Sequence, residues 1–116
     1  MSPARVLFAG AILLTGCATR LPPSPAQLEL AQGQALAQRI CAACHALGPG
    51  EDSAHPRAPP FSSREMQHTA GLSGRVAALA RGGHYSMPPV SLTPAEAAAV
   101  TAYIESLGEP RGGRRP

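Results

Sequence analysis

Cys41-Ala42-Ala43-Cys44-His45 is the stretch of this 116-residue sequence that decides the fold. The spacing Cys-x-x-Cys-His is typical of covalent haem attachment, because two thiols three residues apart can each add to a vinyl group of the porphyrin. The imidazole of the next residue is then held near the iron, for which a proximal histidine is a common ligand. The cysteine pair alone is also compatible with a redox-active pair, half of a zinc site or, in an exported protein, a disulfide.

The N-terminal segment indicates export from the cytoplasm. Arg5 precedes an apolar run of nine residues at 6–14, which has the length of a signal-peptide core and is too short to span a bilayer. The run leads into Leu-Thr-Gly-Cys at 14–17, which resembles a bacterial lipoprotein box. We therefore expect 1–17 to be a signal segment that ends at a lipidated Cys17, and the mature protein to be anchored on the periplasmic side of a membrane. Ordinary signal cleavage, which discards Cys17 and leaves a soluble periplasmic protein, is the alternative.

The number of cysteines supports this assignment. The sequence has three. With lipid on Cys17 and haem on Cys41 and Cys44, no thiol is left over, whereas an odd count in an exported protein otherwise leaves a free thiol to explain. His45, directly after the pair, favours haem over a disulfide between Cys41 and Cys44.

The composition indicates one small domain that needs a covalently bound group to complete its core. About 100 residues remain after the signal segment, and the whole sequence has two phenylalanines, two tyrosines and no tryptophan. A domain with so few large side chains is short of core material, which a covalently bound haem supplies as an apolar disc. The net charge of +3 comes from Arg111, Arg114 and Arg115 in a basic, flexible tail at 109–116. Because these arginines do not lie on a folded element with aromatic partners, we expect no nucleic-acid binding.

Helical patterns lie at both ends of a predicted domain at 27–108, which follows a proline-rich tether at 18–26. The first helix is predicted from about 25 to 39, and four residues share one of its faces: Gly33, Leu36, Ala37 and Ile40. The last helix is predicted to begin after the N-cap Thr93, with Pro94 at its first position and Glu96 completing a capping box. Gly108 ends it, and the same four positions recur: Val100, Tyr103, Ile104 and Leu107.

The middle of the domain predicts two short helices and a long loop. The loop at 48–60 is rich in glycine and proline. The short helices are predicted at 62–68 and at 73–81, the second with Ser73 as its N-cap and two glycines as its stop. No segment alternates long enough to predict a sheet, so the predicted fold class is all-α.

The second axial ligand of the iron, besides His45, has five candidates: Met66, Met87, His55, His68 and His84. Met87 is favoured because two prolines follow it and hold the chain extended, while two glycines shortly before it let the loop fold over the haem. His84 lies in the same loop and is the main alternative, which would give two histidine ligands. Met66 lies in a predicted helix, where packing is its expected role.

Residues 31–107 resemble the class I c-type cytochromes, which are small, all-helical electron carriers. The resemblance rests on four features: Gly33 in the helix before the Cys-x-x-Cys-His motif, the sequence APPF at 58–61, the sequence GHYSMP at 83–88, and the last helix with Val100 and Tyr103. It implies a small cytochrome c fold in which the N- and C-terminal helices cross at Gly33 and Tyr103 around one covalently bound haem c.

The resemblance also implies roles for particular residues. Cys41 and Cys44 would form the thioether bonds, His45 and Met87 would be the axial ligands, and the carbonyl of Pro59 would accept a hydrogen bond from the His45 ring. Such a bond fixes the tautomer and orientation of a ligating imidazole. The family usually has glycine before this proline, and here alanine stands at position 58.

Nitrogen and sulfur at the two axial positions leave the iron with no vacant position, so one-electron exchange is the chemistry that remains. We therefore predict an electron carrier rather than an enzyme, which passes electrons between donor and acceptor proteins of a respiratory or dehydrogenase chain. The alternative is a haem protein with an open site, peroxidase-like or gas-sensing, in which Met87 is labile or does not ligate the iron.

Overall fold

The computed structural model describes residues 16–17 and 19–108, and within them the chain forms four helices and no β-strand. The helices are α1 (Pro25–Ile40), α2 (Arg64–Gly71), α3 (Arg75–Gly82) and α4 (Pro94–Ser106). The predicted all-α fold class is confirmed. The apolar run at 6–14 and the tail at 109–116 lie outside the described residues. In the described part, none of the helices combines the length and the hydropathy needed to cross a bilayer.

Capping boxes explain where the two long helices begin. At α4, Glu96 N–H donates to Thr93 Oγ1 over 3.2 Å, and Thr93 N–H donates to Glu96 Oε2 over 2.8 Å, as predicted. At α1, Gln27 N–H donates to Ser24 Oγ over 3.2 Å, and Ser24 N–H donates to Gln27 Oε1 over 2.8 Å. The box of α1 is not among the predictions made from the sequence, although Ser-Pro-Ala-Gln at 24–27 carries the same signal as Thr-Pro-Ala-Glu at 93–96.

Helices α1 and α4 cross where Gly33 meets Ala99 and Tyr103, and the resemblance to class I cytochromes implies this crossing at Gly33 and Tyr103. A Cβ atom built on Gly33 would overlap the carbonyl of Ala99 and would lie 3.1 Å from Tyr103 Cβ. The missing side chain is therefore what allows the two helices to approach so closely. The core gathers around this crossing: Leu36, Ala37, Phe61, Ala70, Val100, Tyr103 and Ile104.

The bounds predicted for the two short helices are wrong by a few residues. Helix α2 is capped by Ser63, whose Oγ accepts from Met66 N–H over 3.3 Å, and it continues to Gly71 rather than ending at 68. Ser73 does not cap α3. The N-cap is Gly74, which has a φ of +71° and no side chain with which to cap the helix. Ser73 instead lies in a turn that Arg75 N–H closes on the carbonyl of Leu72.

Two side chains connect distant segments through hydrogen bonds. The amide of Gln67 in α2 donates to the carbonyl of Phe61 over 3.0 Å and to that of Ile104 in α4 over 2.7 Å. The hydroxyl of Tyr103 donates to the carbonyl of Leu47 over 3.1 Å. Burial raises the pKa of Tyr103, so its hydroxyl stays protonated and keeps this bond across the neutral pH range. These bonds hold α2 and the loop after α1 against α4.

Candidate functional site

The Cys-x-x-Cys-His motif continues α1 as one further turn. Cys41 N–H donates to the carbonyl of Ala37 over 2.7 Å, and His45 N–H donates to the carbonyl of Cys41 over 2.9 Å. Residues at i, i+3 and i+4 of such a turn lie on one side. Cys41, Cys44 and His45 are accordingly half-buried together, while the two alanines between the cysteines are exposed. The turn thus directs two thiols and one imidazole to the same region.

The His45 ring is oriented by a neighbouring backbone carbonyl. Its Nδ1 lies 2.8 Å from the carbonyl oxygen of Pro59. A carbonyl only accepts, so Nδ1 carries the proton and Nε2 keeps a free lone pair. The ring also packs against Phe61, with centroids 5.2 Å apart. The imidazole therefore has a fixed tautomer and a fixed orientation, with Nε2 available as a ligand.

Alanine at position 58 is compatible with this hydrogen bond. Ala58 N–H donates to the carbonyl of His55 over 3.0 Å, which closes a turn just before Pro59. Among the described residues, Tyr85 is the one non-glycine with a positive φ, so Ala58 has an ordinary backbone conformation. The turn makes no demand here that only glycine could meet.

A cleft next to the motif has two adjoining lobes. The inner lobe reaches the core through Leu36, Phe61 and Ile104. The outer lobe runs along Cys44 and the loop residues on either side of it. Seven residues line both lobes: Ile40, Cys41, His45, Pro59, His84, Met87 and Val90. Ile40 is 38% exposed because it faces this cleft, although its position in the helix predicts burial.

Met87 reaches the cleft from a turn whose shape depends on Gly83. His84 and Met87 exchange two backbone hydrogen bonds, of 2.8 and 3.2 Å, and Val90 N–H donates to the carbonyl of Ala80 over 2.7 Å. Gly83 has a φ of +62°, and a Cβ atom there would lie 2.7 Å from the carbonyl oxygen of Met87. Glycine is therefore required for the loop to fold back and hold Met87 half-buried at the cleft.

Comparison with known protein families identifies the family to which this chain belongs. Residues 28–104 match the family described as "Cytochrome C oxidase, cbb3-type, subunit III". The match spans most of α1, the motif, both lobes of the cleft and most of α4, which is more than half of the chain. The chain belongs to this family of class I c-type cytochromes. No curated protein and no solved structure matches it significantly.

Because the chain belongs to this family, it is a haem c electron carrier. The residues of the cleft fit haem c as the cofactor. The inner lobe is walled mainly by aliphatic side chains, and among its lining residues Glu65 is the one carboxylate, with no lysine or arginine. The motif supplies two thiols, and burial raises the pKa of the Cys41 thiol. An apolar cleft that holds two thiols, a nitrogen donor and a sulfur donor has the donor set of a covalent haem c site.

The other candidate ligands of this cytochrome differ in position. Met66 lines only the inner lobe and packs against the core. His55 lines only the outer lobe, and its Nδ1 accepts from Arg57 N–H over 3.1 Å. His68 lines neither lobe. Of the five candidates for the second axial position, His84 and Met87 share both lobes with His45.

Proposed function

We propose that this cytochrome carries single electrons between proteins outside the cytoplasm, with His45 and Met87 as the two axial ligands of its iron. The observation that carries the proposal is the hydrogen bond from His45 Nδ1 to Pro59, because it leaves Nε2 as a donor in the cleft that Met87 also lines. When bound, haem c supplies a reversible one-electron couple, and methionine ligation raises its potential relative to other axial choices.

The protein side chains have separate tasks in this proposal. Cys41 and Cys44 would hold the porphyrin through two thioether bonds, each of which adds one S–H across a vinyl group with no net oxidation and no leaving group. Phe61, Leu36 and Ile104 exclude water from the inner lobe, since all three are buried or nearly so. Exclusion of water from the haem raises its potential further.

An axial pair that occupies the iron leaves it no site for oxygen, peroxide or another substrate. We therefore infer that the protein is a carrier and not an enzyme. Its partners are proposed to be donor and acceptor proteins of a respiratory or dehydrogenase chain, in agreement with the oxidase named in the family description. Ala43 of the motif is exposed and lines the outer lobe, where it gives an uncharged part of the edge at which a partner can approach closely.

The ligand assignment is tested by optical spectra of the holoprotein made in a host that matures c-type cytochromes. A ferric iron with a methionine ligand has a weak red charge-transfer band. We expect this band in the wild type and its loss, with a lower midpoint potential in redox titration, in Met87→Leu. Met66→Leu is the matched control and keeps both, since Met66 lines only the inner lobe. A wild type without the band contradicts the assignment and favours an open or bis-histidine iron. A band lost in Met66→Leu instead also contradicts it and makes Met66 the ligand.

We further propose that Cys17 is lipidated and attaches the protein to the periplasmic side of a membrane. Cys17 is exposed, and the described residues from 19 to 23 have no regular structure before α1, which suits a spacer between an anchor and the domain. Mass spectrometry of the mature protein tests this directly. An acylated N-terminal Cys17, absent in Cys17→Ser, is expected, whereas a mature chain that starts after Cys17 indicates a soluble periplasmic protein.

A further inference from the structure

His84 and Met87 face each other across a two-residue turn. Met87 N–H donates to the carbonyl of His84 over 2.8 Å, and His84 N–H donates to the carbonyl of Met87 over 3.2 Å, which forms an isolated antiparallel bridge. Directly opposed residues of an antiparallel pair place their side chains on the same side. Both side chains line both lobes of the cleft. The turn therefore presents an imidazole and a thioether to the same space.

The two side chains differ in depth. Met87 is half-buried, whereas His84 is exposed. The imidazole lies at the rim, edge-on to the ring of Tyr85, with centroids 5.6 Å apart. Tyr85 itself is 94% exposed and has a φ of +46°, so the tip of the turn is not packed into the core and its tyrosine is strained. Because the tip of the turn is barely packed, few contacts are lost when the imidazole moves inward.

We propose that His84 is a reserve ligand, which takes the second axial position when the thioether of Met87 leaves it. This inference rests on the proposed ligation by His45 and Met87. In the exchange the iron–sulfur bond breaks and an iron–nitrogen bond forms through the lone pair of the neutral imidazole, and no electron or proton is transferred. Tethering gives His84 an effective concentration of the order of millimolar at the iron. The cytochrome then has a second low-spin state, of lower potential, in place of an open site.

The experiment compares ferric Met87→Leu with Met87→Leu/His84→Ala. Leucine keeps the volume of methionine and removes the sulfur donor. We expect the single variant to lose the red band and remain low-spin, and the double variant to become high-spin. Added imidazole binds the single variant only in the fraction with His84 off the iron, so its apparent affinity is at least about tenfold weaker there than in the double variant. Met87→Ala repeats the comparison if the leucine holoprotein is not recovered.

His55→Ala in the Met87→Leu background is the matched control, because His55 lines the outer lobe alone. It should leave the spectrum of the single variant unchanged. A high-spin single variant, equal imidazole affinities, or an iron opened by His55→Ala instead would each overturn the reserve ligand. A red band present in the wild type and lost in Met87→Leu would still support Met87 ligation in those cases. A wild type without the band overturns both proposals.

Discussion

Substituting Gly33 with alanine tests the contact that joins the two long helices. A methyl group at this position would overlap the backbone carbonyl of Ala99, which cannot rotate away as a flexible side chain would. Overpacking of this kind costs about 1–3 kcal/mol, occasionally more. We expect a cost near the upper end of this range because the obstacle is backbone. Alanine recovers about 1 kcal/mol of helix propensity relative to glycine. The net expectation is a loss of about 2 kcal/mol in the free energy of unfolding.

Thermal unfolding of the holoprotein, followed by far-ultraviolet circular dichroism, measures this loss. For a domain of this size a loss of about 2 kcal/mol lowers the melting temperature by roughly 8–16 °C. The matched control is Gly71→Ala at the end of α2, where an added Cβ atom meets nothing within 4 Å. That variant should be neutral or slightly stabilised. If Gly33→Ala melts at or above the wild-type temperature, the close approach of α1 and α4 is not what requires glycine, and the reasoning fails.

Two further predictions concern the ligand loop and a helix cap. Gly83→Ala is expected to diminish the red band and to lower the free energy of unfolding by on the order of 1–3 kcal/mol, because the φ of +62° and the nearby Met87 carbonyl exclude a side chain. Gly82 has open space around it, so Gly82→Ala should keep the red band and the stability of the wild type. Hydrogen bonds from Thr93 hold the pKa of Glu96 below its ordinary value. This contribution to stability is present above the unfolded-state pKa and is lost as the pH falls through the lower folded-state pKa. Glu96→Gln keeps the cap without the charge, so the difference in melting temperature between wild type and variant should change below about pH 4; a constant difference refutes the assignment.

The start of α4 could be predicted from the sequence because its signal is local. Thr93 and Glu96 are three residues apart, and their hydrogen bonds need nothing beyond that turn. The start of α3 could not be predicted in the same way. Ser73 is a good N-cap residue, but the turn closed by Arg75 on Leu72 uses the backbone that Ser73 would need to begin the helix. Helix α3 packs against α2 and α4, and tertiary packing of this kind can override a local preference for one helix start.

The candidate site likewise has features that local spacing predicts and contacts that it does not. The side on which Cys41, Cys44 and His45 lie follows from helical spacing, and the candidacy of Met87 follows from the two prolines after it. What spacing cannot give is which distant groups meet. The bond between His45 and Pro59 spans 14 residues, and only the family resemblance implied it. The shared placement of His84 and Met87 depends on a backbone bridge that their three-residue separation permits but does not require.

The helix crossing and the candidate ligand lie on one continuous helix and its last turn. Gly33 and Cys41 are eight residues apart along α1 and its last turn, and fully buried Ala37 between them accepts the backbone hydrogen bond of Cys41. A change in how α1 lies against α4 must therefore move the motif and, with it, the imidazole of His45. Displacing the ring lengthens its 2.8 Å bond to Pro59, which sets the ring's orientation. Gly33→Ala should accordingly perturb the haem spectrum as well as the melting temperature, whereas a loss of stability with an unchanged spectrum would mean that α1 bends between the crossing and the motif.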